Sequence, residues 1–221
     1  MNEVVGKRAT SEAQKMARRI KVLNAASSLF TEAGFFDVSM SMIAKKAGVA
    51  KGTIYLYFST KEEIFLALCT DELGIWLLHL ESQLSTVTGV LENEQFIAIL
   101  RKSFEGRDVM YRLIALMHLV LEKNVSLQEV LDFKRNLLEL TVKISDRVEI
   151  VLPYLEKGDG LALMTTFHSL VVGWSQMTET SPIMEKVLEI PEMAPFKFDM
   201  QDNLFRSFRL VLDGAKYGDQ K

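Results

Sequence analysis

Residues 39–63 run SMSMIAKKAGVAKGTIYLYFSTKEE, and the spacing of their apolar side chains predicts two short helices separated by a tight turn. The first helix is predicted over 40–47 with Ser39 as its N-cap, the turn over 48–50 and the second helix over 51–58. Two short helices joined by a three-residue turn that begins with glycine make a helix-turn-helix, whose second helix can enter the major groove of DNA.

The side chains of this motif divide into an apolar interior and a polar outer face. The interior is small, and it is predicted to consist of Ile43, Ala44, Ala47, Val49, Ile54 and Phe58. The outer side of the second helix keeps one cation and three hydroxyl groups, suited to phosphates and base edges, from Lys51, Thr53, Tyr55 and Tyr57. Gly52 has no side chain, so the backbone can come close to a phosphate there. A helical hairpin inside an ordinary α-helical enzyme is the alternative, and it would place aliphatic side chains or scattered charges on this face.

Helical periodicity continues on both sides of the motif. The first helix is predicted from Met16 to Gly34, and a capping box at 60–63 opens a long helix to about Leu84. Further helices are predicted over 93–105, 107–122, 126–152, 159–178, 182–189 and 199–216. No run alternates apolar and polar residues between turns as a strand would. The predicted fold class is all-α, with an N-terminal three-helix helix-turn-helix domain joined by a long helix to a C-terminal helical domain.

The composition limits the class of protein. Hydrophobic residues make up 48% of the 221 residues and charged residues 25%, which excludes disordered and fibrous chains. Only 4 prolines and 12 glycines interrupt the chain, so long helices are favoured over an all-β sandwich. Cys69 is the only cysteine, which excludes an internal disulfide framework or a cysteine metal cluster and suits a reducing cytosol. We expect no secretion signal, because the N-terminus has no apolar segment followed by a small-residue cleavage site.

Charge is distributed unevenly along the chain. Residues 1–61 contain ten lysines and arginines against four acidic residues, a net charge of +6. The remaining residues contain sixteen against twenty-five, a net charge of -9, and the whole chain carries -3. A small basic segment on a larger acidic body indicates that the N-terminal part meets a polyanion.

The stretch from Gly160 to Thr178 contains no Asp, Glu, Lys or Arg and is about as long as a membrane span. Its polar side chains are too many for a helix that faces lipid, and they include Thr165, Thr166, His168, Ser169, Ser175 and Gln176. We predict a buried helix and no membrane association. An ordinary core helix and a core helix that also lines a subunit interface both remain open.

Enzyme function is the competing hypothesis, and the sequence lacks the motifs that would support it. It has no G-x-G-x-x-G, phosphate-loop, H-E-x-x-H or G-x-S-x-G pattern. The three histidines, His79, His118 and His168, fall on different predicted helices, so a metal triad would need a coincidence of tertiary structure. We therefore expect no catalytic residue, no metal site and no cofactor.

The region 20–66 resembles the DNA-binding domain of the TetR (tetracycline-repressor-like) transcriptional regulators. The resemblance rests on residues with unbroken spacing: Phe30, Gly34, Ser39, Ile43-Ala44, Ala47-Gly48-Val49, Lys51-Gly52-Thr53-Ile54-Tyr55, Tyr57-Phe58 and Lys61-Glu62. It implies an all-helical, homodimeric regulator whose divergent C-terminal domain binds an effector. It also implies DNA contacts by Ser39, Met40, Ser41, Lys51, Gly52, Thr53, Tyr55, Tyr57 and Lys61. The sequence departs from the family at Ala50, where Ser or Thr often caps the recognition helix, and at Met40 and Met42, where polar residues are common.

The resemblance and the helix pattern together predict three parts: a flexible basic tail over 1–15, the DNA-binding domain over 16–61, and an effector-binding and dimerisation domain over 62–221. A dimer interface is expected on the last two long helices, around Phe167, Leu170, Val171, Trp174, Phe205, Phe208 and Leu212. An effector pocket is expected among adaptable, flat or polar side chains of the central helices: Phe104, Tyr111, Met117, His118, Phe133, Met164, Phe167 and His168. An ordinary core explains the same eight residues nearly as well.

The functional hypothesis is a ligand-responsive regulator, a repressor by family habit, that binds a pseudo-palindromic operator in double-stranded DNA as a homodimer. A small apolar or aromatic effector would release it, and the long helix that starts at Lys61 would transmit the change. Such a regulator works in the bacterial cytoplasm, and on the nucleoid when it is bound to DNA. The alternative is a DNA-binding protein of the same fold that is controlled by a protein partner or by no effector.

Overall fold

The computed structural model describes the backbone of residues 2–218 and the side chains of residues 12–218. Every regular element among these residues is helical, which confirms the all-α fold class. The α-helices are α1 (Asn2–Asp37), α2 (Met40–Ala47), α3 (Lys51–Ile54), α4 (Lys61–Ser85), α5 (Asn93–Phe104), α6 (Asp108–Leu116), α7 (Leu127–Val151), α8 (Asp159–Thr178), α9 (Pro182–Leu188) and α10 (Met200–Tyr217). A π-helical turn, Met117–Leu121, follows α6, and a 3-10 helix, Pro191–Phe196, precedes α10.

The chain forms two compact units. The first unit contains the residues up to Asp71 together with Met117–Phe133, and the second contains Glu72–Leu116 and the residues from Lys134 onward. Inside the first unit, the hydroxyl of Thr60 donates to the carbonyl of Asn124 at 2.9 Å, which joins the inserted segment to the start of α4. No local pattern in the sequence indicates this insertion, because it depends on a contact between residues far apart in the chain.

The first helix begins earlier than the sequence predicts. A flexible tail is expected over 1–15 and a helix from Met16, whereas the backbone is helical from Asn2. Met1 and the side chains of residues 2–11 lie outside the described part. The difference arises because residues before Met16 lack an apolar stripe, and helix-forming residues alone give a weak signal. Gly34 has a left-handed φ of 75° that interrupts the helix as predicted, although a further helical turn continues to Asp37.

The core of the first unit forms where α1 and α4 meet. The ring of Phe65 is buried and lies 5.5 Å from the ring of Phe30 and 5.1 Å from that of Phe35. The predicted capping box opens α4, since the Thr60 hydroxyl accepts the backbone N–H of Glu63 at 3.1 Å. The Glu63 carboxylate reaches back one residue further than expected and accepts the backbone N–H of Ser59 at 2.5 Å.

The core of the second unit is an aromatic cluster from α4, α5, α8 and α10. The rings of Phe104 and Phe167 lie 5.5 Å apart, and Phe167 lies 4.7 Å from Phe208. The Trp76 ring is 5.0 Å from Phe104, and its indole N–H donates to the hydroxyl of Ser103 at 2.9 Å. Ring contacts of this kind stabilise the middle of the unit, by about 0.5 to 1.5 kcal/mol per pair beyond the burial of their area.

This cluster corrects the expected roles of α8 and α10. Five of the seven residues expected at a dimer interface are buried inside their own subunit: Phe167, Val171, Phe205, Phe208 and Leu212. They are not available to a second subunit, because their own unit already covers them. Leu170 and Trp174 are half-buried, and the indole N–H of Trp174 donates to the hydroxyl of Ser207 at 3.1 Å. A dimer contact on these helices therefore has to use their outward faces.

The other helices after α4 begin and end within one residue of the predicted bounds. The exception is the helix predicted over 107–122, which divides into α6 and the π-helical turn. The π-helical pattern ends with the N–H of Glu122, which donates to the carbonyl five residues earlier at 3.1 Å, and apolar periodicity does not reveal this change. No helix within residues 2–218 is both long enough and apolar enough to cross a membrane.

Candidate DNA-binding surface

A left-handed glycine sets the angle between α2 and α3. Ser39 caps the start of α2, where its hydroxyl accepts a backbone N–H of the first turn at 3.3 Å. At the other end, Gly48 has a φ of 68° and donates its N–H to the carbonyl of Lys45 at 3.2 Å. The N–H of Val49 donates to the carbonyl of Ala44 at 3.0 Å. These two bonds form a Schellman motif, which satisfies the last carbonyls of α2 and turns the chain toward α3.

The recognition segment, residues 51–58, is one helical turn followed by tighter turns. The α-helix ends at Ile54, four residues before its predicted end. The N–H groups of Leu56 and Tyr57 each donate to the carbonyl three residues earlier, at 3.2 and 3.0 Å, which is a narrower pattern than that of an α-helix. Ala50 precedes α3 without a side-chain hydrogen bond, as its methyl group requires.

The interior predicted for the motif is buried in part. Ile43, Ala44, Ile54 and Phe58 are buried, whereas Ala47 and Val49 are half-buried. The two buried residues of the recognition segment are four positions apart and therefore face the same side. The opposite side of this segment is left to solvent.

All nine residues expected to contact DNA belong to the first unit. Five of them are exposed, namely Ser39, Ser41, Lys51, Gly52 and Tyr55. Four are half-buried, namely Met40, Thr53, Tyr57 and Lys61. A Cβ atom added to Gly52 would meet no other atom within 4 Å, so the protein's own packing does not require glycine at this position.

Leu56 is a further candidate that sequence reasoning missed. Its side chain is 80% exposed in the middle of the recognition segment. An apolar side chain in this place suits the methyl group of thymine in the major groove. The available signal is its position midway between buried Ile54 and Phe58, which puts Leu56 on the outward side.

Lys61 is bound into the fold of the first unit. Its ammonium group donates to the carbonyls of Phe35 and Val38, each at 2.8 Å, and lies 4.1 Å from the centre of the Phe35 ring. Burial lowers the pKa of Lys61, while the carboxylates of Glu62 and Asp37 oppose that shift. Since an ammonium group has three hydrogens, at most one remains for the phosphate contact that the resemblance implies.

The eight residues expected around an effector are divided between the two units. Met117 and Phe133 are buried in the first unit, and His118, also there, is exposed with its Nδ1 3.4 Å from a carboxylate oxygen of Glu122. His118 is therefore not a polar group inside an apolar wall, which corrects that expectation.

The other five residues of the expected pocket belong to the second unit: Phe104, Tyr111, Met164, Phe167 and His168. Phe104 and Phe167 are part of the aromatic cluster, and Met164 is buried. The half-buried Tyr111 donates its hydroxyl to the carboxylate of Asp108, and burial raises the pKa of Tyr111. These residues remain a predicted pocket, in which the rings of Phe104 and Phe167 are in mutual contact.

The second unit also has an open groove that no sequence pattern indicates. It holds about 580 Å³ between the end of α8 and the segment 182–198. Its apolar wall contains Met177, Met184, Val187, Leu188, Met193, Phe196 and Phe198. At its polar edge, Glu179 accepts two hydrogen bonds from the Arg112 guanidinium, at 3.2 and 3.1 Å. None of the eight residues of the expected pocket lines this groove.

An N-terminal helix-turn-helix with an exposed recognition segment, followed by a larger helical unit, defines a DNA-binding regulator. Comparison with known families makes this specific. Residues 22–68 match the family described as "Bacterial regulatory proteins, tetR family", and residues 70–218 match "Tetracyclin repressor-like, C-terminal domain". The chain belongs to the TetR family of transcriptional regulators. Proteins of this family are regulators and not enzymes.

Individual relatives agree with this assignment. The fatty acid metabolism regulator protein of Bacillus subtilis (strain 168) is 31% identical over 148 residues, which cover 67% of this chain and 68% of the relative. Among solved structures, the fatty acid degradation regulator FadR from Bacillus halodurans has 21% identity and a TM-score of 0.56, covering 89% of this chain and 95% of its own. A TetR/AcrR-family regulator from Thermobifida fusca has 18% identity and a TM-score of 0.56, covering 93% and 100%. The two structures show the shared fold.

Replacing Lys61 by methionine should destabilise the protein by about 1 to 3 kcal/mol, because the carbonyls of Phe35 and Val38 lose a charged donor. Methionine keeps the apolar stem over the Phe35 ring, so the change isolates the ammonium group. Urea unfolding followed by circular dichroism measures the effect. The matched control is Lys45→Met at an exposed position, where the loss should stay within about 0.5 kcal/mol. Equal stability of the two variants would contradict the role assigned to Lys61.

Proposed function

We propose that this protein is a transcriptional repressor that binds a pseudo-palindromic operator as a homodimer and releases it when an apolar effector binds. The observation that carries DNA binding is the exposed side of the recognition segment, which the Schellman turn at Gly48 directs away from the core. Lys51 supplies a cation, and Thr53 and Tyr55 supply hydroxyl groups for phosphates and base edges. Leu56 adds an apolar side chain for a thymine methyl group.

The outward face of α8 supports the dimer. This face carries no charged residue, and its exposed hydroxyls on Thr165, Thr166 and Ser169 each donate to the carbonyl four residues earlier, at 2.8, 2.9 and 3.0 Å. A second subunit can therefore cover the face without leaving these hydroxyls unsatisfied. Gly173 allows close approach, and Leu210 on neighbouring α10 is 69% exposed.

Two copies that present this face to each other bring four helices together around a two-fold axis. Each copy then carries one recognition segment. Two-fold symmetry implies a pseudo-palindromic operator, with half-sites about one helical turn of DNA apart or a multiple of it. The proposed interface thus uses the outward face of α8 and not the residues expected from the sequence, most of which are buried in their own subunit.

We propose a fatty acyl compound as the effector. The name of the relative from Bacillus subtilis, a fatty acid metabolism regulator, supports this class. The groove beside α9 supports it physically, because its volume of about 580 Å³ falls in the usual range for ligand sites and its wall is mostly apolar. Three methionines line it, and their unbranched side chains adapt to chains of different length.

The groove is preferred over the interior pocket expected from the sequence. A ligand between Phe104 and Phe167 would have to separate rings whose centres lie 5.5 Å apart. The groove needs no such separation, because it already holds open volume. The interior residues stay as the competing site, and the experiment below distinguishes the two.

The long helix α4 is the proposed route of transmission. Its 25 residues span about 37 Å, with Lys61 at its start and Trp76 in the aromatic cluster of the second unit. A tilt of this helix moves the recognition segment of each subunit, and a modest change in their separation breaks simultaneous docking on one duplex. The effector must bind the released conformation more tightly, and a coupling of about 1 to 3 kcal/mol is typical.

Alanine at Lys51 or Thr53 should relax the preference for the operator, at a cost of about 1 to 3 kcal/mol per lost base contact. Gly52→Ala should leave the stability of the free protein intact, because its Cβ meets open space, but should weaken DNA binding by holding the backbone away from a phosphate. Fluorescence anisotropy with operator and scrambled duplexes of equal length measures both effects. If the unaltered protein bound the two duplexes equally, the proposed function would fail.

Leu210→Glu should convert the dimer to a monomer that keeps its fold, because the side chain is exposed in the single subunit but buried between two. Sedimentation at micromolar concentration measures the mass, and circular dichroism confirms folding. Ile150→Glu, on α7 and 61% exposed, is the control that should remain dimeric. A dimer that persists in Leu210→Glu, or a monomeric unaltered protein, would count against this interface.

Sodium oleate or oleoyl-coenzyme A, below its micelle-forming concentration, should lower operator affinity about tenfold or more. Met184→Trp should abolish the response by filling the groove, whereas Leu138→Trp, exposed on α7, should preserve it. Anisotropy titrations with each compound measure the release. If Tyr111→Phe removed the response and Met184→Trp did not, the effector site would be the interior pocket. If neither compound released DNA, control by a protein partner or by no effector would become the better hypothesis.

A further inference from the structure

Few cations are left free beside the recognition segment. Lys46 is paired with Glu32 at 2.6 Å, and Lys61 donates to two backbone carbonyls. Within residues 39–63, this leaves the exposed Lys45 and Lys51. A regulator that holds a duplex through about six phosphates or more needs a larger supply of positive charge from its two subunits.

The basic residues are instead concentrated near the start of α1. Six of the ten lysines and arginines in residues 1–61 fall within 7–21, before the first core residue, Val22. Every side chain from Glu12 to Lys21 is exposed except that of Arg19, which is half-buried. This length of helix therefore contributes almost nothing to the core, and its exposure needs another explanation.

The start of α1 shares a groove with the recognition segment. Lys15, Arg18 and Arg19 line a volume of about 460 Å³ together with Leu56 and Tyr57. The three basic residues have i, i+3 and i+4 spacing, which places them on one face of the helix. This face is continuous with side chains of the recognition segment that are candidates for DNA contact.

The three basic side chains of this face differ in the contacts that they make within the first unit. The Arg19 guanidinium lies 5.5 Å from the centre of the Phe58 ring, a cation–π contact that holds α1 beside the recognition segment. Among the side chains of residues 12–218, Lys15 is paired with Glu12, at 3.0 Å, and both side chains are well exposed, so this pair is weak and a phosphate can replace it. Arg18 is exposed on the same groove. Lys15 and Arg18 are thus the cations available to a ligand.

We propose that Lys15 and Arg18 form a second phosphate-binding surface, which grips the DNA backbone beside the bases that the recognition segment reads. The inference rests on the proposed function, because it assigns a further part of the protein to the same duplex. The occupant is double-stranded DNA, since one wall of the groove is the recognition segment itself. Contacts to phosphates add affinity and salt dependence but carry no base preference.

The double variant Lys15→Gln/Arg18→Gln tests this surface. It should bind the operator at least tenfold more weakly at 150 mM salt and lower the slope of log affinity against log salt by about 2 to 4 for a dimer. The ratio of operator to scrambled-duplex affinity should stay unchanged. Glutamine preserves helix propensity, and circular dichroism checks the fold. Lys102→Gln, an exposed lysine of the second unit, is the matched control and should leave affinity and slope unaltered.

Glu12→Gln tests the same surface in the opposite direction. Removing this carboxylate frees Lys15 and takes a negative charge away from the DNA, so operator affinity should rise about two- to fivefold. A merely structural role for α1 would not give opposite effects for removal of a positive and a negative charge.

The outcomes separate this inference from the proposed function. If Lys51→Ala weakens operator preference while Lys15→Gln/Arg18→Gln keeps the affinity and salt slope of the unaltered protein, the second surface is refuted and the function stands. If the folded protein binds no DNA, both are refuted. Weaker binding to all duplexes with a reduced slope, together with tighter binding by Glu12→Gln, supports the second surface.

Discussion

The ammonium group of Lys61 joins the end of α1, the chain leading into α2 and the first turn of α4 through two backbone carbonyls. The recognition segment lies between α2 and α4, so this side chain ties the chain before α2 to the chain that follows the segment. The Schellman turn at Gly48 then sets the direction in which the segment leaves. A motif this short buries few side chains, and such polar constraints therefore carry much of its geometry.

Features with a local physical cause could be predicted from the sequence. Ser39 and Gly48 bound α2 because capping and left-handed backbone act within one turn, and the bounds of α8 are those predicted. Features that depend on distant contacts could not be predicted. The start of α1 has no apolar stripe, and the insertion of 117–133 into the first unit depends on contacts such as that between Thr60 and Asn124.

In the candidate DNA-binding surface, too, features with a local cause could be predicted and features that depend on distant contacts could not. The exposure of Lys51 and Tyr55 follows from helical spacing. The hydrogen bond from Lys61 to the carbonyl of Phe35 could not be predicted, because it depends on where α1 packs. For α8, the sequence did not distinguish a core helix from a core helix that also lines a subunit interface. An apolar side chain does not reveal whether its own subunit or a second subunit covers it. The structure assigns the aromatic face to the subunit's own core and leaves an uncharged face outside, with hydroxyls such as that of Thr166 bound to their own helix.

The most direct test of the central claim, that this chain is a sequence-specific dimeric regulator, is to sequence the DNA that the purified protein retains from a random pool of duplexes at physiological salt. The retained DNA should share one enriched pseudo-palindrome, with half-sites about one helical turn apart or a multiple of it. Retained fragments without a shared motif, or with a single unpaired half-site, would contradict it.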